Sequence, residues 1–271
     1  FEEQSGTLAI NHAKITVGDE LITNGDFSEI GSELITNGTF DTNITGWDSL
    51  GGWAYSLSQT AIHASGVSSD YLIKSGVLVS GKTYKYEVTT SGLDSSNFIQ
   101  IYSGGAHAIH QNNASQSGFF VATSADFKIR GVSANADIFI DNVSCKEVFQ
   151  DWTFNSQNGG VKSIVSGAAR LDSTAASNSV MQIYQSILVI NKSYRVTFTV
   201  TNYNDDTSTC RIINNNGTLL YHVTANGAHT FNFTHAISSA NILFRSDAGA
   251  TYDIDNISVK EITGAEATMS S

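Results

Sequence analysis

The chain has 271 residues, a formal net charge of -11 and only 14% charged residues, with 27 aromatic side chains and no proline. That balance excludes a nucleic-acid partner, which needs a basic surface to release counterions. It also excludes a disordered chain, which would combine few aromatics with high charge density.

The N-terminal 33 residues are the most acidic stretch: Glu2, Glu3, Asp19, Glu20, Asp26, Glu29 and Glu33 against Lys14 alone. They read as a solvated connecting segment. The chain begins with Phe rather than Met, which implies an upstream part. No apolar run approaches the roughly 18 residues that span a bilayer, so no membrane insertion is expected. Within the acidic segment the phrase E-L-I-T-N-G occurs twice, at Glu20 to Gly25 and Glu33 to Gly38, and Phe27 and Phe40 follow at the same offset. The second copy is placed to open a module. The first has no module directly behind it and reads as an extra strand. Three roles stay open for it: a duplication scar, a cover for its own sheet edge, or an addition to a neighbouring chain's sheet.

Beyond residue 40, period-two alternation replaces helical periodicity. Tyr84 to Thr89 and Tyr194 to Val200 alternate large apolar with polar residues and are rich in strand formers. Ser103-Gly104-Gly105 and Asn214 to Gly217 punctuate such runs as turns. Many short strands with regular turns predict an all-β sandwich or barrel.

An internal repeat divides the chain. Ile140 to Val148 (I-D-N-V-S-C-K-E-V) matches Ile254 to Ile262 (I-D-N-I-S-V-K-E-I), 114 residues later. Val77 to Tyr84 matches Ile187 to Tyr194, and Gly51-Gly52-Trp53 matches Gly159-Gly160-Val161. The expected organisation is an acidic segment over 1–32, one β-sandwich over 33–148, a second over 149–262, and a tail over 263–271. The second module opens on Phe149-Gln150-Asp151-Trp152 and lacks the N-G-x-F strand, as a degenerate copy would. Cys145 aligns with Val259, so it reads as a core thiol; Cys210 also sits among apolar residues.

The L-I-T-N-G-x-F opening, Gly46-Trp47, the G-K-x-Y strand at Gly81 to Tyr84 and the closing I-D-N-V-S strand resemble jelly-roll carbohydrate-binding modules. Such modules occur in glycan-degrading enzymes and, as tandem copies, in bacteriophage tail fibres and virion proteins. The resemblance implies two tandem jelly-roll-like antiparallel β-sandwiches. It also implies a structural calcium ion held by Asp141 in one module and Asp255 in the other, with Asp41 and Asp26 as partners in the first. Without the ion, both aspartates read as acceptors for a turn backbone.

Sugar binding needs planar apolar faces flanked by polar groups. Trp53, Tyr55, Tyr102, His107, His110 and Gln111 are the candidates in the first module, and Tyr203 and Tyr221, with Tyr184 and His222, in the second. Trp53 and Tyr102 lie beside glycine pairs where loops meet strands, which favours exposure. Trp47 and Trp152 read as core. His107 and His110 stand three apart, a spacing that on a strand turns them to different sides. No G-x-S-x-G, H-E-x-x-H or phosphate-binding glycine loop is present, so the chain reads as non-enzymatic.

The expected function is a non-catalytic virion surface protein, tail-fibre-like, with modules for host-surface glycan recognition or assembly. It would act at a virion surface or outside the cell, as a homo-oligomer or beside other virion proteins. Glycan-binding modules of a secreted bacterial enzyme or adhesin, and purely architectural spacers, are the alternatives.

Overall fold

A computed structural model describes residues 14–66, 70–204 and 210–266. Glu2 and Glu3 of the acidic segment lie outside these residues. Among the described residues there is no helix, and the strands form two all-β sandwiches of jelly-roll type.

The described chain divides into two compact units, and the division corrects the expected boundaries. Residues 29–150 form an inserted unit. The residues before 29 join those from 151 onward in a split unit. The first E-L-I-T-N-G copy is therefore neither extra nor a linker. It completes the split unit, whose N-G-x-F opening stands at Asn24 to Phe27, before the insertion. The expected tail from 263 is also corrected as far as Glu266, because the last strand continues to that residue.

The inserted unit contains β2 (Ile30–Glu33), β3 (Asp48–Ser49), β4 (Trp53–Ser56), β5 (Thr60–His63), β6 (Asp70–Lys74), β7 (Thr83–Ser91), β8 (Asn97–Tyr102), β9 (Ala106–His110), β10 (Ser115–Val121), β11 (Phe127–Ser133) and β12 (Ile138–Val148). One sheet has the order β10-β7-β12-β5-β4, with β2 also on β12, and the facing sheet has the order β3-β6-β11-β8-β9. The split unit contains β1 (Lys14–Glu20), β13 (Thr153–Gln157), β14 (Val161–Val165), β15 (Ala168–Asp172), β16 (Val180–Ser186), β17 (Ser193–Asn204), β18 (Arg211–Asn214), β19 (Leu219–His222), β20 (Gly227–Thr234), β21 (Asn241–Asp247) and β22 (Thr251–Glu266). Its sheets run β14-β15-β22-β17-β20, with β1 on β22, and β13-β16-β21-β18-β19.

Alternation aims one face of each strand at the core. Tyr84, Tyr86 and Val88 of β7 point inward against Ile99, Ile101, Phe127 and Ile129. In the split unit Tyr194, Val196, Phe198 and Val200 play the same part beside Ile183, Phe244 and Val259. Each such fully buried side chain contributes about 1.5–3 kcal/mol. Neither Cys145 nor Cys210 is in a disulfide, and both are buried; burial pushes the Cys145 thiol far up, so it stays protonated and inert.

The repeated motifs are structural devices. The Tyr84 hydroxyl accepts the Val79 amide at 2.8 Å, and Tyr194 accepts that of Val189 at 2.7 Å. Lys82 pairs with Glu147 and Lys192 with Glu261, each at 2.7 Å. The I-D-N motif is a β-bulge in both units. Asn142 and Asn256 adopt positive φ of 49° and 52°, which asparagine tolerates better than most residues. The Asp141 carboxylate accepts both the Asn142 amide at 2.7 Å and its side-chain nitrogen at 3.0 Å, and Asp255 does the same for Asn256. The pairing register of β12 with β7 shifts at this point.

Candidate functional site

Each bulge creates a seat for a first strand. In the inserted unit the Val143 amide, just past the bulge, donates to the Gly38 carbonyl at 2.9 Å. Glu33 reaches back so that its carboxylate accepts the Cys145 amide at 2.9 Å and the Ser144 hydroxyl at 2.6 Å. Trp47 closes the seat, its indole nitrogen donating to the Asn37 carbonyl at 2.9 Å and its ring lying 5.7 Å from that of Phe40. Trp47 and Trp152 are core residues, as expected.

A second outward face, mixed aromatic and charged, lies on the other sheet. In β6, β11 and β8, Leu72, Ile129, Ile99 and Ile101 are fully buried. Their neighbours Tyr71, Ile73, Lys128, Arg130, Gln100 and Tyr102 therefore share the outward face. Register sets Arg130 between Tyr71 and Gln100, and Lys128 between Ile73 and Tyr102. The Tyr71 and Tyr102 rings meet edge to face, with centroids 5.5 Å apart. The Arg130 guanidinium donates to Gln100 Oε1 at 2.6 Å, and Lys128 lies 3.3 Å from Asp126. Ile109, 57% exposed, extends the row opposite Gln100. The result is a half-buried face of two tyrosine rings and two cations, with the Gln100 amide buried among them.

The matching face of the split unit differs in chemistry. Gln182, Tyr184, Leu243, Arg245, Arg211 and Ile213 take the corresponding register positions. Asp247 holds both arginines, Arg245 through Nε at 2.7 Å and Arg211 through Nη2 at 2.6 Å. Ile213 stands where the inserted unit has Tyr102, and Gln182 where it has Tyr71.

Of the residues expected from sequence to bind sugar, Tyr102 is on the tyrosine face. Trp53 is not exposed, and that expectation is corrected. Only 4% of its surface is accessible, and its ring packs 5.0 Å from the buried His63 ring. The glycine pair beside it serves the interior: a side chain at Gly52 would collide with His63 and Asp70.

His107 and His110 do not diverge as expected. A bulge where Ile101 and Tyr102 pair with Ala108 and Ala106 turns both inward. His107 lies 4.9 Å from the Phe120 ring, and His110 Nε2 stands 2.7 Å from the Tyr86 hydroxyl. Burial holds both imidazoles below their ordinary pKa and pushes the Tyr86 phenol up to about 12. Tyr221 also faces the interior, stacked 4.8 Å from Phe231 and 3.0 Å from His229 Nδ1. Tyr55 donates its hydroxyl to the Asp41 carbonyl, and Gln111 is exposed at the end of β9. The Tyr203 amide donates to Asn226 Oδ1. Tyr71, Arg130 and Gln100 were missed; the Tyr71 and Arg130 positions become meaningful only once β6, β11 and β8 are known to adjoin.

The aspartates expected beside calcium are distributed differently between the units than expected. Among the described residues no three His, Cys, Asp or Glu side chains are grouped to hold a metal. Asp26, expected beside Asp41 and Asp141, belongs to the other unit and faces Asp255 instead. Asp41 accepts the Thr39 hydroxyl, and Asp141 and Asp255 cap their bulges.

No family model matches the chain, and no curated protein does. Among solved structures it resembles the N-terminal tandem CBM22 pair of Xyn10C from Paenibacillus barcinonensis. The identity is 12%, the coverage 86% of this chain and 99% of that one, and the TM-score 0.35. It also resembles allantoicase, at 8% identity over 87% of this chain and 92% of that one, with a TM-score of 0.32. The Saccharomyces cerevisiae allantoicase matches at 8% identity over 73% and 79%, with a TM-score of 0.31. One of these neighbours is a carbohydrate-binding pair and the others are enzymes by name. At such scores they do not choose between the two functions.

Proposed function

We propose that the chain is a non-catalytic glycan-recognition protein and that the tyrosine face of the inserted unit is its binding surface. The observation that carries this reading is the edge-to-face pair Tyr71 and Tyr102 flanking the Arg130–Gln100 hydrogen bond. Tyrosine rings offer the apolar plane that a sugar's C–H face requires. Arg130 and Lys128 offer donors for hydroxyl or carboxylate oxygens, and a guanidinium suits a uronate by its fork geometry. The split unit supports a different preference, because Gln182 and Ile213 stand where the inserted unit has Tyr71 and Tyr102.

Two such units on one chain make a second weak contact intramolecular, which raises avidity without new chemistry. A host-surface setting, as in a tail fibre, extends this reading and rests on the sequence resemblance alone. The test is a glycan array of neutral and uronate-bearing oligosaccharides, followed by calorimetry on the best ligand. Tyr102→Ala should weaken binding about tenfold, a loss of roughly 1.4 kcal/mol. An unchanged affinity, or no ligand on the array, overturns the assignment.

A further inference from the structure

The two first strands are twins in sequence and occupy seats that match in most of their bonds. The Leu21 amide donates to the Val259 carbonyl at 3.0 Å, and the Leu34 amide to that of Cys145 at 3.0 Å. Glu20 accepts the Val259 amide at 2.8 Å and the Ser258 hydroxyl, as Glu33 accepts those of Cys145 and Ser144. The Ile257 amide donates to Gly25 and the Val143 amide to Gly38, both at 2.9 Å. Trp152 donates to the Asn24 carbonyl at 2.9 Å, and Trp47 to that of Asn37 at the same distance. Phe27 lies 5.4 Å from Trp152, and Phe40 lies 5.7 Å from Trp47.

Both glycines are required by close approach. A Cβ at Gly25 would lie 2.0 Å from the Ile257 carbonyl oxygen, and one at Gly38 would lie 2.0 Å from that of Val143. Each seat also has one polar side chain reaching the strand's threonine. Gln185 donates to the Thr23 carbonyl at 2.7 Å, and Lys74 to that of Thr36 at 2.9 Å. The twins differ between glutamate and phenylalanine at one position only, Asp26 against Thr39. Thr39 borders an open depression of about 340 Å³ lined also by Asn142 and Val143, which leaves room for an aspartate.

We infer that each seat is a binding site for an extended peptide of the form E-L-I-T-N-G-x-F and takes either twin, so that copies of this chain link by exchanging first strands. Specificity is carried by the glutamate, by the glycine that only a bare backbone can replace, and by the aromatic residue on the tryptophan. Apart from the Asp26/Thr39 position, exchanged and unexchanged strands make the same bonds, so swapping costs little beyond association and rises with protein concentration. The partner is a second copy, because every copy carries both twins and both seats.

The test uses the full chain carrying Gly25→Val, which prevents the split unit's own strand from seating. A fluorescein-labelled peptide of residues 32–41, the other twin, should bind this variant one to one. A peptide with valine at the Gly38 position should bind at least tenfold more weakly. If the split unit is unfolded without peptide, the same peptide should restore its thermal transition. The mirror experiment adds the peptide of residues 19–28 to Gly38→Val. Binding or rescue by a seat's own twin alone overturns interchangeability, and failure of both twins overturns the site. Refolding the wild-type chain at rising concentration should give dimers and larger species by light scattering, suppressed by excess peptide. A monomer at every concentration overturns exchange between copies.

Discussion

His63 shows how one residue couples the inserted unit to pH. Its Nδ1 lies 2.7 Å from the Ser133 hydroxyl, and its ring is fully buried against Trp53. Burial lowers its pKa, the nearby Asp70 charge offsets part of that, and His107 and His110 are lowered in the same unit. A histidine depressed in the folded state contributes stability above its unfolded pKa, which is lost as pH falls through the folded value. The inserted unit should therefore lose stability below a pH of about 6.5. Denaturant melts from pH 7.5 to 5 check this, and His63→Gln should flatten the slope. Asp255 runs the other way. Burial first, and the Asp26 charge in addition, raise its pKa, so its contribution is present below its unfolded pKa and lost as pH rises through the raised value. Asp26→Thr should bring the Asp255 pKa down, as carbon-detected NMR titration would show; no movement would mean the two carboxylates are uncoupled. Lys162, 3.5 Å above the Phe154 ring, is pushed down to about 8 by burial, so mild amine labelling near that pH should modify it ahead of Lys192.

At the scale of the element, the closing strands β12 and β22 organise everything. Each pairs along its length with a central neighbour, bulges at Asp-Asn, and receives a first strand just beyond the bulge. In β22, Asp253 is almost wholly buried and bidentate with Arg170 at 2.6 and 2.8 Å, with Asn202 donating a third bond at 2.6 Å. Arg170 is 32% exposed and can turn to solvent, so the loss is that of hydrogen bonds to a buried charge. Asp253→Asn should cost the split unit about 2 kcal/mol by chemical denaturation and leave the inserted unit unchanged. The I-D-N and G-K-x-Y motifs were legible in the sequence as repeats. Their meaning as a capped bulge and a tyrosine tether was not, because both depend on backbone partners that the motif itself does not contain.

For the whole molecule, the insertion changes what truncation should do. If residues 1–28 were only a linker, deleting them would leave both units intact. Because Glu20 to Phe27 is the split unit's first strand, the deletion should lower that unit's calorimetric transition by several degrees or abolish it. The transition of the inserted unit should stay in place. Two equal, unshifted transitions would restore the linker reading.

Alternation in Tyr84–Thr89 and Tyr194–Val200, the repeated closing strands and the two openings were enough to specify all-β sandwiches and their number. These are local or self-similar signals, and period two and a recurring motif need no knowledge of partners. The owner of each opening, the burial of Trp53, the inward turn of His107 and His110 and the makeup of the tyrosine face came from long-range pairing. Two identical strands thirteen residues apart carry no local mark of which seat each fills, since the seats lie more than a hundred residues downstream and read the same six residues. The chain's path between them settled the assignment, and the register of β6, β11 and β8 brought Tyr71, Arg130, Gln100 and Tyr102 onto one surface.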